Sequence, residues 1–288
     1  MRFWGIHEGF YPGVQDRIDA FRRACTARGI EYIDADSLAW DYSNIPTLGN
    51  DDLLYALSSG AQTLTSLFLN TNVTTLYRSN PGLNLITSTV EWSILHDRMK
   101  LPAPRTIFAI STDRALLRSY VEGLGGFPIV LKTFMGSRGI GTVKIESWEG
   151  LFSTVDLLDA QGIRAILRQF INAEFGVRAF VLGDEILGSL LFRFQPDDFR
   201  NAAVSSLTCY EPYLLPAEDA ILCKQAVHGI NLDFAGVDLL VDRAGKSYLL
   251  EVNFPCGFKA MEDFGTPVAQ AVVDYMIRKA RHSASRTA

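Results

Sequence analysis

Hydrophobic and polar residues follow two different spacings along the first third of the chain. The segment "RFWGI" (Arg2 to Ile6) predicts a short apolar strand, and a turn with glycine and proline follows it. Apolar residues then recur at helical spacing in "VQDRIDAFRRACTARG", before a second predicted strand at "IEYIDA". This strand–helix–strand order favours a parallel sheet. The next segment, "DDLLYALSSG", predicts a further helix that stops at its glycine.

The pattern changes from Leu101 onward. "LPAPRTIFAI" predicts an extended linker, because proline and the residue before it avoid helix. Strands are predicted at "FPIVLKTF", "TVKIES" and "RAILRQFI", with a helix at "WEGLFSTVDLL" before the last of them. "FGVRAFVLGDEILGSLLFRF" predicts a hairpin that turns at Gly183 and Asp184. A helix from Pro216 to about His228, strands at "FAGVDLLV" and "SYLLEVNF", and the helix "PVAQAVVDYMIRKA" complete the predicted elements.

Composition and charge narrow the class of protein. The chain has 288 residues, 48% hydrophobic and 20% charged, which is enough to bury a full core. Its net charge of −5, without a lysine- or arginine-rich run, argues against a nucleic-acid partner. No apolar run approaches the ~18 residues of a membrane-spanning helix, the N-terminus lacks a secretory signal, and the four cysteines form no CxxC pair. We therefore expect a cytoplasmic protein that binds neither nucleic acid nor membrane.

A glycine-rich stretch, "LKTFMGSRGIGTV", joins two predicted strands between Leu131 and Val143. It is neither a Walker loop nor a dinucleotide fingerprint, because no lysine follows its last glycine and a strand, not a helix, comes next. Glycine backbone N–H groups can approach a phosphate closely, and Lys132 adds a positive charge. The stretch is thus a candidate phosphate-covering flap, with an ordinary tight hairpin as the alternative.

Carboxylates interrupt two apolar strands near the C-terminus. Glu251 and Asn253 lie two apart in "EVN", so they face the same side of a strand. Asp238, within "AGVDLL", can lie opposite them across a hairpin. Oxygen ligands of this kind suit Mg²⁺, and an unpaired buried carboxylate is costly. A metal site is favoured over a hydrogen-bonded polar patch.

Two further segments carry candidate binding groups. In "RQFIN" (Arg168 to Asn172), backbone groups could pair with the edge of adenine, and Glu174 could reach a ribose hydroxyl; an ordinary strand-to-loop junction is the alternative. Arg178 and Arg193 lie on the two arms of the hairpin and could clamp a phosphate or carboxylate. Surface charge is the alternative for both arginines.

Taken in order, these segments resemble the ATP-grasp enzymes, and among them the ribosomal-protein glutamate ligases and the lysine-biosynthesis ligases that act on a carrier protein. The motifs are "IVLKTFMGSRGIGTV", "GVRAFVLGDEILG", "DFRN", "AGVDLLV" and "LLEVNFPCGF". The resemblance implies an α/β (α+β) ATP-grasp fold in which two α+β subdomains clasp ATP. The implied units are a parallel α/β domain (1–100), a central lid subdomain (101–175) and a C-terminal subdomain with the metal site (176–288).

The resemblance also assigns roles to residues. It implies ATP with one or two Mg²⁺ ions, and Mn²⁺ as a substitute. The residues assigned are Lys132, Gly136, Ser137, Gly139 and Gly141 for phosphates; Gln169, Phe170 and Ile171 for adenine; Glu174 for ribose; Asp238, Glu251 and Asn253 for the metal; and Arg178 and Arg193 for phosphate or substrate.

The implied reaction is phosphorylation of a carboxylate by ATP, followed by attack of an amine that forms an amide. The expected substrates are a small amino acid, a peptide or a related metabolite, with intramolecular ring closure as one form of the reaction. A kinase on the same fold and a non-catalytic ATP-binding protein are the alternatives. Relatives of this kind favour a homodimer or homotetramer.

Several positions depart from the family pattern. The expected Asp-Lys pair is absent from "NLITSTVEWSILHDRMK", so Arg98 or Lys100 is a candidate replacement for the lysine. Gly176 stands where relatives have an aspartate, Asn201 falls one place early, and "AVSSLT" replaces an Arg-Gly-Gly motif. These changes gather on the substrate side of the site and predict a non-standard acceptor or acyl donor.

Overall fold

The architecture is seen in a computed structural model that describes residues 1–10, 12–82, 88–134, 139–195, 198–200 and 210–287. Within these ranges, no helix is both long enough and apolar enough to cross a membrane.

The first part of the chain forms a parallel three-stranded sheet flanked by helices. Its elements are β1 (Arg2–His7), α1 (Pro12–Thr26), β2 (Glu31–Asp36), β3 (Asp52–Ala56) and α2 (Gln62–Phe68). The strand order is β2–β1–β3, and both pairings are parallel, as the sequence predicted. Helix α1 covers one face, where the rings of Phe3 and Phe21 stack with centroids 5.1 Å apart.

The helix predicted at "DDLLYALSSG" is wrong, because this segment contains strand β3 followed by a short 3-10 turn at Ser59–Ala61. Leu53, Leu54 and Tyr55 are each at most 2% exposed, so the strand is buried on both faces. The sequence of such a strand is a continuous run of apolar residues, without alternation of apolar and polar positions. Its hydrophobic pattern therefore cannot be distinguished from that of a short buried helix.

The middle of the chain forms an antiparallel four-stranded sheet. Its elements are α3 (Thr89–Arg98), β4 (Thr106–Ile107), α4 (Arg114–Leu124), β5 (Ile129–Thr133), β6 (Thr142–Ile145), α5 (Trp148–Ala160) and β7 (Ala165–Gln169). The strand order is β4–β7–β5–β6. Helix α5 begins where the Ser147 hydroxyl accepts a hydrogen bond from the Gly150 N–H at 3.2 Å, a typical N-cap. Helices α4 and α5 bury Leu117 and Leu151 against the sheet.

The last part forms an antiparallel five-stranded sheet with three helices. Its elements are β8 (Ala173–Leu182), β9 (Glu185–Phe192), β10 (Tyr210–Pro212), α6 (Ala217–Gly229), β11 (Phe234–Asp242), β12 (Ser247–Asn253), α7 (Lys259–Asp263) and α8 (Val268–Thr287). The strand order is β10–β9–β8–β11–β12. The predicted hairpin is confirmed, and its turn holds Gly183 at φ +58°, a conformation that glycine adopts at little cost.

The two faces of this sheet have different partners. Val177 and Ala179 point to the face covered by α6, whereas Phe180 and Phe234 join the core shared with α1 and α8. Arg178 shares a face with Phe180, because side chains two apart on a strand point the same way. This alternation places the charged side chain of Arg178 at the boundary between the core of the N-terminal part and a cleft.

The buried carboxylate of Asp52 contributes to the stability of the N-terminal sheet. It is 1% exposed and accepts hydrogen bonds from Arg2, Trp4 and the Gly49 N–H. Burial by itself would raise the pKa of Asp52, but these bonds outweigh it and lower the pKa. The ionised group therefore stabilises the fold above about pH 4, and this contribution is lost as the pH falls through the lowered pKa.

We expect Asp52→Asn to lower the free energy of unfolding at pH 7 by about 1.5–3 kcal/mol. The difference from the wild type should shrink as the pH falls below about 4. Urea unfolding at several pH values measures both effects. Asp51→Asn, at the exposed neighbouring position, is the control. An equal loss in the two variants would contradict the role of Asp52.

Candidate active site

A cleft of about 710 Å³ lies between the four-stranded and the five-stranded sheets. Its volume falls within the range of about 300–1,000 Å³ typical of small-molecule sites. On β5 and β7, Val130 pairs with Arg168 and Lys132 with Ile166, so Lys132 and Arg168 share the face that lines the cleft. On the opposite wall, Asp238, Glu251 and Asn253 line the same space. The cleft therefore brings a set of cations to a set of oxygen donors.

The three predicted metal ligands come together across the β11–β12 pair. Asp238 lies opposite Glu251, and Gly236 lies opposite Asn253, so the three polar side chains share one face. The Asn253 amide donates a hydrogen bond to Asp238 Oδ2 at 3.1 Å. The structure therefore places Asp238 opposite "EVN", across the β11–β12 hairpin, as predicted.

Asp238 is also bonded to Arg178, its neighbour on the other adjacent strand. The guanidinium donates from Nε and Nη2 to the two carboxylate oxygens, each at 2.6 Å. Burial raises the pKa of Asp238, and Arg178 acts in the opposite direction. For Arg178, burial favours the neutral form, but the ion pair outweighs it and raises the pKa. The arginine predicted to clamp a phosphate or carboxylate here clamps a carboxylate of the protein itself.

Lys132 makes the second charge contact of the site. Its Nζ lies 3.2 Å from Glu251 Oε2, which links the base of the glycine-rich stretch to β12. Burial by itself would raise the pKa of Glu251, but the charges of Lys132 and Arg178 outweigh it and lower the pKa. Glu251 is therefore held as a carboxylate between two cations.

The donor set suits the Mg²⁺ that the resemblance implies. Mg²⁺ prefers oxygen ligands, and Asp238, Glu251 and Asn253 supply two carboxylates and an amide. Among the described residues, no three His, Cys, Asp or Glu side chains form a group that could hold a metal, so the amide of Asn253 would be needed. The ion would replace part of the positive charge that Arg178 and Lys132 bring to the carboxylates.

Arg168 is a buried cation of the cleft that sequence reasoning missed. It is 7% exposed, and its guanidinium donates to Thr106 Oγ1 (3.1 Å), to the Leu250 carbonyl (3.3 Å) and to Ser93 Oγ (3.4 Å). These partners are neutral, and burial lowers the pKa of Arg168, while Glu251 acts in the opposite direction. Its charge interrupts the apolar strand "AILRQF", the same signal that identified Asp238 and Glu251.

The candidates named for the missing family lysine lie elsewhere. Arg98 and Lys100 are exposed, and neither is among the residues that line the cleft. The additional cations that do line it are Lys144, Arg168 and Arg200. Lys144 lies 5.0 Å from the centroid of the Phe170 ring. Arg168 is the most buried of the three, and the negative charge of Glu251 favours its charged form by raising its pKa.

The predicted adenine residues, Gln169, Phe170 and Ile171, all line the cleft. Two of their backbone groups already have hydrogen-bond partners in the protein. The Gln169 N–H donates to the Arg105 carbonyl (2.8 Å), and the Ile171 carbonyl accepts from the Ala173 N–H (2.8 Å). Glu174 is exposed and is not among the lining residues. Contact of these residues with adenine and ribose remains a prediction.

The glycine-rich stretch is described only in part. Gly139 lines the cleft, and Gly139 and Gly141 have φ of +76° and +81°, where a side chain would be strained. The Gly141 carbonyl accepts a hydrogen bond from Thr133 N–H at 2.9 Å, which closes the turn onto β5. Gly136 and Ser137 lie outside the described residues.

Of the departures from the family pattern on the substrate side of the site, the structure explains Gly176. A Cβ atom on Gly176 would lie 2.1 Å from Cζ of Phe192, whose buried ring fills the space of an aspartate side chain. Arg193 follows the end of β9, is exposed and does not line the cleft, so its role remains a prediction. Asn201 and the segment "AVSSLT" lie outside the described residues.

Comparison with known proteins identifies the family. A family model described as the RimK-like ATP-grasp domain matches residues 93–276. The probable alpha-L-glutamate ligase of Shewanella loihica is 26% identical over 200 residues, which make up 67% of this chain and 64% of that protein. The match thus spans slightly less than two thirds of this curated relative.

Solved structures share the fold over nearly the whole chain. The ATP-grasp ligase PsnB, in complex with a phosphomimetic variant of its minimal precursor, Mg and ADP, has a TM-score of 0.69 and 18% identity, covering 96% of this chain and 98% of that one. The macrocyclase MdnC bound with precursor peptide MdnA, from Microcystis aeruginosa, has a TM-score of 0.72 and 14% identity, covering 96% of this chain and 100% of that one. The predicted ATP-grasp fold is confirmed, and because the family model spans more than half of its length, the chain belongs to the RimK-like ATP-grasp family.

Proposed function

We propose that the protein is an ATP- and Mg²⁺-dependent ligase that joins a carboxylate to an amine through an acyl phosphate. The observation that carries the proposal is the meeting of Lys132 and Arg168 with Asp238, Glu251 and Asn253 in one cleft. Cations suit the phosphates of ATP, and the oxygen donors suit the metal that accompanies them. The curated relatives named as glutamate ligases support the reaction class.

The residues would act mainly by positioning and by balancing charge. In the first step, a carboxylate oxygen of the acyl donor attacks the γ-phosphorus of ATP, and ADP leaves. In the second, an amine attacks the carbonyl carbon, the bond from carbon to the phosphate oxygen breaks, and phosphate and a proton are released. Asp238, Glu251 and Asn253 would hold Mg²⁺, which neutralises phosphate charge when bound. Lys132 and Arg168 add fixed positive charge, and Arg178 lies next to the reacting groups.

Peptides or small amino acids are the proposed substrates. PsnB and MdnC, which share the fold, are described with precursor peptides, and MdnC is named as a macrocyclase. Those names support a peptide acyl donor and make intramolecular ring closure one form of the reaction. The replacement of the family aspartate by Gly176 under the Phe192 ring supports a donor that differs from that of the glutamate ligases.

The experiment is trapping of the acyl phosphate with hydroxylamine. The chain is incubated with Mg²⁺, ATP and a panel of amino acids and acidic peptides, and ADP and hydroxamate are measured. We expect both products to form only when a suitable acid is present. ³¹P NMR separates the alternatives: a phosphorylated product without free phosphate would indicate a kinase. Tight nucleotide binding without acid-dependent ADP formation would overturn the ligase proposal.

Arg168 offers a specific prediction about nucleotide binding. We expect Arg168→Met to weaken Mg·AMPPNP binding by about tenfold, because a charged hydrogen-bonding group contributes about 1.5 kcal/mol or more. Arg168→Lys keeps the charge and should lose less. Isothermal titration calorimetry measures the affinities.

Arg98→Met provides the matched control for Arg168, since Arg98 is the exposed candidate for the same role. Its binding of Mg·AMPPNP should equal that of the wild type. A larger loss in Arg98→Met than in Arg168→Met would assign the missing lysine's role to α3 instead of β7.

A further inference from the structure

The side chain of Arg105 completes the C-terminal end of α4. The last four carbonyls of a helix have no partner within the helix. Backbone N–H groups that follow α4 satisfy two of these carbonyls, those of Val121 and Glu122. Arg105 donates to the other two, from Nη1 to the Gly123 carbonyl (2.7 Å) and from Nη2 to the Leu124 carbonyl (2.8 Å). A cation at this end also complements the helix dipole.

The turn after α4 leaves room for this guanidinium. Gly125 has a φ of +99°, a conformation in which other residues are strained. A Cβ atom on Gly125 would lie 2.8 Å from Nη2 of Arg105, so a side chain there would displace the arginine. The glycine therefore serves both the turn and the contact of Arg105 with the helix.

The same arginine also holds the last residue of β7. The Nε and the backbone N–H of Arg105 both donate to Gln169 Oε1, at 3.3 and 3.4 Å. In return, the Gln169 N–H donates to the Arg105 carbonyl at 2.8 Å. Arg105 thus joins the end of α4 to the end of β7.

Gln169 begins a stretch of the cleft wall that suits a nucleotide base. Residues 169–171 line the cleft. Gln169 lies opposite Ile129 at the start of β5, whereas Lys132 lies near the end of that strand. Ile129 and Lys132 are about 10 Å apart along the strand. A nucleotide whose phosphates lie at Lys132 can therefore place its base against residues 169–171.

We propose that Arg105 is a positioning residue for the nucleotide base. The proposal rests on the proposed ligase function, because it takes the cleft as the nucleotide site. Arg105 does not line the cleft, so it would act through Gln169. By fixing the end of β7 against α4, it would hold residues 169–171 in the orientation that meets the base. A wall that is ordered in advance binds its ligand more tightly, because less conformational freedom is lost on binding.

The test compares two ligands that both carry phosphates, Mg·AMPPNP and Mg·tripolyphosphate, by isothermal titration calorimetry. Only AMPPNP has a nucleoside, so the ratio of the two affinities measures what the nucleoside contributes. We expect Arg105→Met to weaken Mg·AMPPNP by about five- to tenfold and to leave Mg·tripolyphosphate within about twofold of the wild type. Arg105→Lys keeps the charge and should lose less. Because Arg105 is exposed, both variants should stay folded, which thermal unfolding checks.

A second substitution tests whether Arg105 acts through Gln169. If it does, the double variant Arg105→Met with Gln169→Met should bind Mg·AMPPNP no more weakly than Gln169→Met alone. Arg118→Met is the matched control, because Arg118 is an exposed arginine of α4 that lies over the Trp148 ring and does not line the cleft. It should bind both ligands as the wild type does.

Equal loss of both ligands in Arg105→Met would indicate a general structural role and overturn the proposal. Unchanged binding of Mg·AMPPNP in that variant, or fully additive losses in the double variant, would also overturn it. So would a wild type that binds Mg·AMPPNP no more tightly than Mg·tripolyphosphate. Acid-dependent hydroxamate formation by the wild type would show that the ligase proposal survives any of these results.

Discussion

Glu251→Gln is expected to lower kcat by about 10²–10³-fold while leaving the chain folded. The substitution keeps the shape of the side chain and removes the charge that faces Lys132 at 3.2 Å. In the proposed mechanism this carboxylate holds the metal and sets the position of Lys132. Two cations near Glu251 would then lack part of their counter-charge, and both the metal and the phosphates would be held less well.

Acid-dependent ADP release with hydroxylamine as the amine measures this effect, and thermal unfolding monitors the fold. Glu185→Gln is the matched control, because Glu185 is exposed at the start of β9 and lies outside the cleft. It should retain full activity. Turnover in Glu251→Gln within a few-fold of the wild type would remove Glu251 from the metal site.

The hairpins that carry the site were predictable from local signals. In "FGVRAFVLGDEILGSLLFRF", two apolar runs flank a Gly-Asp turn, and this information lies within about 20 residues of sequence. The same holds in part for β11 and β12: their short turn was predictable, but a register shift between Asp238 and Leu239 is what brings Asp238 opposite Glu251. Residues whose neighbours are close in the chain were therefore placed correctly.

Strand β3 shows where local signals fail. Leu53 and Tyr55 are buried on one side and Leu54 on the other, so no alternation marks the segment as a strand. Its place beside β1 depends on residues about 50 positions earlier. A short apolar run with a following glycine satisfied the helix pattern equally well.

The charge pairing of the site also depended on long-range contacts. Arg178 and Asp238 are 60 residues apart, and they meet only because β8 lies beside β11. The sequence identified Arg178 and Asp238 separately as candidate site residues, but it did not indicate that they would bond to each other. Arg168 was missed for the same reason, since its partners lie on α3, β4 and β12.

The pair of Arg178 and Asp238 leads to the largest expected effect on stability. Asp238→Ala should lower the free energy of unfolding by about 3–5 kcal/mol, because it removes a buried carboxylate and leaves the partly buried guanidinium of Arg178 without its partner. Asp238 is 1% exposed, and both of its oxygens are bonded to Arg178 at 2.6 Å. The amide of Asn253 would lose its acceptor at the same time. Urea unfolding followed by circular dichroism measures the loss.

A double replacement separates stability from catalysis. Arg178→Met combined with Asp238→Leu removes both charges and fills the space with apolar groups of similar size, a change that is often neutral or stabilising by about 1–4 kcal/mol in buried ion pairs. We expect this variant to recover most of the stability lost in Asp238→Ala and to remain without ligase activity. A double variant as unstable as Asp238→Ala would mean that the loss comes from packing and not from the unpaired charge. Recovered stability with recovered turnover would show that the pair holds the fold and takes no part in the reaction.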